Sequence, residues 1–452
     1  MNELSTKQIA DALGTTVEED KIIKDVVIDT RQIVKDCLFV CIKGENFDGN
    51  DFADKAIELG AAAVLCTKEA KCSGTAIRVD DTRKAFLQLA SFYRSLFNIP
   101  VVALTGSVGK TTTKEMIHLA LSAKFNTLKT LGNFNNEIGL PRTLLRLDDS
   151  IQAAVIEMGM SHFGEISTLS KTTKPTTGVI TNIGVSHIEN LGSREGIFKA
   201  KMEIVDGMDE DATLILNGDD DFLSTVTAKS AKRKVIFYGV DNGDFRCDNI
   251  NEKDGKTSFT VHFFGQNKDV VIPTIGIHNV YNALAALAVA YVHDVDMDKA
   301  IEKLASYQPE GMRQKCVDAN GVTVIEDCYN ASPDSMKAAL RTLASIKANK
   351  RIAVLADMLE LGDYSSEAHF SVGKMVAENK IDYLFAYGKE AIGYIKGAES
   401  FTICKLFETK QELADELFKT AESGDAVLFK ASRGMKLEDS IHIFYEKRGI
   451  EK

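Results

Sequence analysis

The sequence predicts an α/β fold in three domains: a small mixed α/β N-terminal domain, a central parallel-sheet domain carrying a phosphate loop, and a C-terminal Rossmann-like α/β domain. Three observations carry this. The chain has 452 residues, whereas one domain usually takes roughly 100–200. From residue 101 onward, short apolar runs alternate with helical stretches, as parallel strands with right-handed crossovers require. A strand-rich stretch over 234–271 interrupts that alternation, which then restarts.

The first stretch opens with a helix over 5–13, with Ser5 as its N-cap and Gly14 as its stop. Apolar runs at 26–28, 38–42 and 62–65 read as strands, and the turn-rich KGENFDGNDF (43–52) as a loop between them. An amphipathic helix over 82–97 leads to Pro100. The buried strand VVALT (101–105) then enters a glycine turn and a helix from Thr111. IQAAVIEMG (151–159), GVITNIG (178–184) and ATLILNGDD (212–220) continue the parallel set, and HNVYNALAALAVAYV (278–292) is a helix. GVTVIED (321–327), RIAVLAD (351–357), IDYLFAYG (381–388) and AVLFKAS (426–432) form the last set of strands. Each of these ends in a small or polar residue, at the edge where open α/β sheets place ligands. The expected domains are 1–82, 83–312 and 313–452.

Composition narrows the function classes. Apolar residues make up 44% and charged residues 26%, values of a globular chain. With 54 basic and 65 acidic residues the net charge is −11, which argues against nucleic-acid binding, since that needs a basic face. The longest apolar run, 283–292, is too short to cross a bilayer, so no integral membrane contact is expected. The N-terminus lacks the apolar core of a secretory signal. The eight cysteines show neither CxxC nor zinc spacing, so free thiols in a reducing cytoplasm are expected.

The strongest motif is LTGSVGKTTTKE (104–115), in which a buried strand runs into a glycine turn and a helix. Thr105, Gly106, Ser107, Val108, Gly109, Lys110, Thr111 and Thr112 form the candidate phosphate loop. Backbone N–H groups of such a turn cradle phosphate oxygens, Lys110 adds a point charge, and the Thr111 hydroxyl suits Mg²⁺. The spacing departs from GxxxxGK[ST], because Leu104 takes the first glycine position. Glu157 and His187 each follow a strand at the same sheet edge, where a carboxylate and a neutral imidazole can ligate a divalent cation.

Beyond the loop, NFNNEIGLP (133–141), EMGMSHFGEI (157–166), TNIGVSHIENLGSREGIFKAKMEI (181–204), GIHNVYNALAA (276–286), EGMRQ (310–314), EDCYNASPDSM (326–336), ADMLELG (356–362) and KASRGMKLE (430–438) follow in order. Together with DTR…LFVCIKGENFDGNDF (29–52), they make the chain resemble the Mur ligase family over nearly its whole length. The resemblance implies an ATP-dependent amide ligase, specifically one adding D-alanyl-D-alanine to a UDP-N-acetylmuramoyl-tripeptide through an acyl phosphate. It implies ATP and two Mg²⁺ ions, held by Thr111, Glu157, His187 and a carbamylated Lys201 rather than Lys199. It gives Lys110, Glu157, His187 and Lys201 catalytic roles, and Asn279, Asn282, Arg313 and Asp327 contacts to ATP. Thr30, Arg31, Asn135, Asn136, Lys430, Ser432 and Arg433 resemble substrate-binding residues. Thr30, Ala431, Ser332 and Ala356 depart from the family's usual serine, glycine, asparagine and glycine. A cytoplasmic monomer is implied. A folate polyglutamate ligase, another Mur ligase and an inactive nucleotide-binding regulator are the alternatives. The first lacks a separate N-terminal domain, and the last would be expected to lose Lys110, Glu157 or His187.

Overall fold

The computed structural model describes residues 1–45, 47–309, 311–399 and 402–450; Asn46 of the turn-rich loop and Glu310 of the EGMRQ block lie outside them. The opening helix is Thr6–Ala12. Ser5 and Gln8 close a capping box at its start, and Gly14 follows its end at φ +66°. Four strands, Asp25–Val27, Cys37–Val40, Ala63–Thr67 and Ala76–Val79, form a parallel sheet in chain order. Asp81 caps the helix Thr82–Ser95, whose Arg94 is buried and donates to the carbonyls of Thr173 and Phe97. That helix therefore ties the N-terminal sheet to the next layer.

The central sheet has nine strands. Val101–Thr105 lies inside it, with Ala153–Glu157 on one side and Thr177–Ile180 on the other, all parallel. The chain first builds one flank, then crosses to the other, so the end of Val101–Thr105 is a topological switch point. Thr213–Asn217 and Lys234–Tyr238 extend the parallel part. The 234–271 stretch continues as the antiparallel strands Phe245–Lys253, Lys256–Phe263 and Gln266–Ile272. The helix Ile277–Val292 is apolar nearly all round and buried, which packing against the phosphate-loop helix Lys110–Leu121 explains.

The third sheet has six strands in the order Lys315–Ala319, Val322–Asp327, Ala426–Lys430, Arg351–Ala356, Tyr383–Tyr387 and Ile403–Phe407. The last strand in sequence inserts between the second and third, which makes Asp327 and Lys430 direct cross-strand partners. Apart from the two-residue pair Leu4–Ser5 and Ile22–Ile23, four short strands had no sequence signal: Ala76–Val79, Thr127–Lys129, Lys315–Ala319 and Ile403–Phe407. All are sheet edges, where side chains stay wet and apolar patterning is not needed. All eight cysteines are free. Among the described residues, no helix is long and apolar enough to cross a membrane.

Candidate active site

A cavity of about 840 Å³ lies between the central and C-terminal sheets, at the C-terminal ends of their strands. Residues 107–112 form one wall. Gly109, at φ +83°, turns the strand into the helix Lys110–Leu121 as its N-cap, a conformation that costs glycine nothing. The Lys110 ammonium donates to the Gly106 carbonyl at 2.8 Å and is 3.4 Å from that of Ser107. Both are neutral acceptors, so its charge is not cancelled by a carboxylate in direct contact.

Basic groups crowd this wall. Burial, then Arg313, disfavours charge on Lys110, and Glu157 partly offsets them. Burial lowers the His187 pKa, Lys110 and Lys201 lower it further, and Glu360 opposes them. Burial and Lys110 together hold Lys201 well below the ordinary lysine range. Charge on any one of these groups makes charge on the others more costly, and an anion entering the cavity would favour it.

Glu157 ends its strand 2% exposed. Thr111 donates its hydroxyl to Glu157 Oε2 at 3.0 Å, and Asn135 donates to Oε1 at 2.9 Å. Lys114 Nζ lies 3.9 Å from Oε2 and 3.1 Å from Glu115 Oε1, and Glu115 in turn binds Lys129. This buried row of alternating charge was not anticipated; its signal was the spacing of Lys114 and Glu115, one helical turn beyond Lys110 and Thr111. His187 sits at φ +62° with Nδ1 3.0 Å from Glu360 Oε2, a close approach outside hydrogen-bond alignment. Glu360, supplied by the C-terminal domain, also went unpredicted.

The two candidate lysines separate cleanly. Lys199 is exposed and pairs with Glu195 at 2.8 Å, whereas Lys201 is 1% exposed behind the cavity wall. Asn279 donates to Thr274 Oγ1 and the Ile275 carbonyl; Asn282 donates to Asn279 Oδ1 and accepts from Thr113. Both asparagines line the cavity. So do Asn135 and Asn136, the latter accepting from the amides of Ile138 and Gly139.

The C-terminal domain supplies the opposite wall. Arg313 stacks on Tyr329, its guanidinium 3.6 Å from the ring centroid. Lys430 donates to Asp327 Oδ2 at 2.6 Å and to the Asn330 carbonyl at 3.1 Å. Five expected substrate-binding or loop residues are elsewhere. Ser432 is buried, accepting from the Leu359 amide, and Arg433 is exposed, paired with Glu438. Thr30 and Arg31 sit on a single 3₁₀ turn of the N-terminal domain, where the exposed Arg31 clamps Asp29 and holds its pKa down to about 2. Thr105 is buried beneath the phosphate loop.

Among the described residues, no three His, Cys, Asp or Glu side chains are grouped to hold a metal. The donor set is mixed instead. A buried carboxylate beside a threonine hydroxyl suits a hard divalent cation whose other ligands are phosphate oxygens and water.

A phosphate loop on one domain facing Arg313 of another across a single cavity defines a nucleotide-binding enzyme whose site is built by two domains. The chain matches the Mur ligase family, catalytic domain, over residues 22–94, the Mur ligase middle domain over 104–290, and the Mur ligase, glutamate ligase domain over 312–433. It is 40% identical to UDP-N-acetylmuramoyl-tripeptide–D-alanyl-D-alanine ligase of Bacillus subtilis, with 98% of each chain covered. Its fold superposes on MurF from Acinetobacter baumannii with TM-score 0.94 at 31% identity, covering 99% of both chains. MurF ligase from Thermotoga maritima in complex with ADP follows at 0.87 and 30%, covering 94% of this chain and 98% of that one. The chain belongs to the Mur ligase family.

Proposed function

We propose that this chain is an ATP-dependent ligase joining D-alanyl-D-alanine to a UDP-N-acetylmuramoyl-tripeptide, in the cytoplasm where both nucleotides are found. The observation that carries the reading is full-length likeness to relatives of that name, together with a cavity lined by Lys110, Glu157 and Arg313 from two domains. Domains over 1–82, 83–312 and 313–452 divide the work among UDP-substrate, ATP and dipeptide.

The γ-phosphate of ATP lies against Lys110 and the amides of the loop. The tripeptide carboxylate attacks it, giving an acyl phosphate and ADP. The dipeptide amine then attacks the acyl carbon, and the tetrahedral adduct expels phosphate to leave an amide. Two anions meet in the first step, so the cations that line the cavity, Lys110 and Arg313, are what the chemistry needs. Arg313 brings its charge from the C-terminal side. Thr111 and Glu157 would hold one Mg²⁺, and His187 with a carbamate on Lys201 a second. Such ions neutralise charge on phosphate and carboxylate oxygens. Lys201 suits the modification because burial lowers its pKa and so favours the neutral amine, the form that adds CO₂. Asn279 and Asn282 shape the purine end of the cavity; Asn135 and Asn136 face the sugar-diphosphate side.

The N-terminal sheet weighs against a folate polyglutamate ligase, which has no such separate domain. A phosphate-release assay across acceptors tests the reading. Release should require ATP, the UDP-muramoyl-tripeptide and D-alanyl-D-alanine together. Release with glutamate and a folate, or with a single amino acid and a shorter UDP-precursor, would overturn it.

A further inference from the structure

The segment 181–189, which carries His187, is stitched to the phosphate loop. The Ser107 amide donates to the Asn182 carbonyl, and Asn182 exchanges side-chain hydrogen bonds with the amide and carbonyl of Val108, both at 3.0 Å. Thr181 donates to that same carbonyl at 2.7 Å. The Gly184 amide donates to Ser107 Oγ at 2.9 Å. The very next amide points the other way: Val185 N–H donates to Asp334 Oδ2 of the C-terminal domain at 3.2 Å. Two successive peptide groups thus join the phosphate loop to a second domain. Gly184 leaves room for this, since a Cβ there would stand 2.1 Å from Asp334 Oδ2 and 3.2 Å from Ser107 Cβ. Along the same segment, Glu360 meets His187 and Gly362 approaches Glu189.

We propose that Asp334 is a positioning residue. Seated on the Val185 amide, its carboxylate presses the His187-bearing segment onto the phosphate loop, so that both take their working places only when the C-terminal domain is docked. Asp334 is not on the wall of the main cavity and so acts through Val185 rather than on the nucleotide. The inference rests on the ligase reading for its kinetic consequence, though not for the docking itself. Asp334 also lies in the first turn of the helix Pro333–Ser345, where any carboxylate favours the helix dipole. The test must separate these roles.

Three variants do so: Asp334→Ala, Asp334→Asn and Gly184→Ala. An asparagine oxygen still accepts from the Val185 amide but carries no charge. Asp334→Ala should lose about tenfold in kcat/KM for ATP, the scale of one lost hydrogen bond to a charged group. Asp334→Asn should stay within about threefold of wild type by the same measure. Gly184→Ala, which leaves the helix untouched, should match or exceed the loss of Asp334→Ala. Small-angle scattering of the ligand-free proteins should show Asp334→Ala and Gly184→Ala expanded relative to wild type and Asp334→Asn unchanged. Equal impairment of Asn and Ala variants would assign Asp334 to the helix dipole and overturn the proposal. So would a Gly184→Ala protein with wild-type turnover and compactness. A wild-type chain that releases no phosphate would sink the ligase reading, and the scattering would still decide the docking.

Discussion

Lys110 and Lys430 both stand where a parallel strand runs out at the edge of the same cavity, yet their charges meet opposite fates. Lys110 touches only backbone carbonyls, with the Glu157 carboxylate near but not in contact and Arg313 opposing it. Lys430 is 2% exposed and bound at 2.6 Å to Asp327, its cross-strand partner. A lysine whose charge is unspent waits for an anion; a lysine already paired with a carboxylate holds two strands together. Both lysines line the cavity, but only Lys430 meets it with a carboxylate already in contact. The neighbouring charge decides.

Mutation of the two lysines should break the comparison most clearly. Lys110→Ala should cost on the order of a hundredfold or more in ATP-dependent phosphate release, as for loss of an electrostatic stabiliser. Its thermal midpoint should hold or rise, because a crowded cation has been removed. Lys430→Met should do the reverse in character. Removing one partner of a buried pair strands Asp327, a cost of about 3–5 kcal/mol that calorimetry would read in the unfolding of the C-terminal domain. A Lys430→Met protein of normal stability but no activity would place Lys430 with Lys110 instead.

Lys201 sharpens the same contrast. Its folded pKa is depressed while the unfolded side chain titrates near 10.4. Between those two values the unfolded chain binds a proton that the fold does not, so stability falls as pH is lowered through that window. In CO₂-free buffer at neutral pH, Lys201→Met should therefore melt higher than wild type, each kcal/mol being worth about 2–4 °C. Most ligase activity should be lost with it. Lys199→Ala, which removes only an exposed i,i+4 pair, should change both by little. A lower melting point for Lys201→Met would mean the ammonium is stabilised in the fold after all. The smallest effect should come from Arg31→Ala, whose exposed clamp on Asp29 should matter only at the UDP-substrate KM.

What could be read in the sequence follows from how local each feature is. The phosphate loop was legible because strand, turn, lysine and helix are contiguous, and one stretch of chain builds the whole wall. Lys201 was distinguished from Lys199 by family spacing, and the helix periodicity that buries one and exposes the other agrees. The pairing of Lys430 with Asp327 was not legible, because it depends on the last strand inserting beside one more than a hundred residues earlier. Glu360 and Asp334 were missed for a related reason. They matter only through docking of one domain on another, and no periodicity within either segment records it. Ser432 and Arg433 were legible only as a motif; Arg433 pairs with Glu438 at the start of the next helix, and the partner of Ser432, the Leu359 amide, comes from another part of the C-terminal domain and could not be read locally.

One isotope measurement tests the proposed chemistry most directly. The UDP-muramoyl-tripeptide is prepared with ¹⁸O in its terminal carboxylate and turned over with ATP and D-alanyl-D-alanine, and the released phosphate is analysed by mass. If the carboxylate attacks the γ-phosphate held by Lys110, one labelled oxygen leaves with each phosphate and one stays in the amide. Phosphate free of label alongside normal amide formation would contradict an acyl phosphate and, with it, the role given to the phosphate loop.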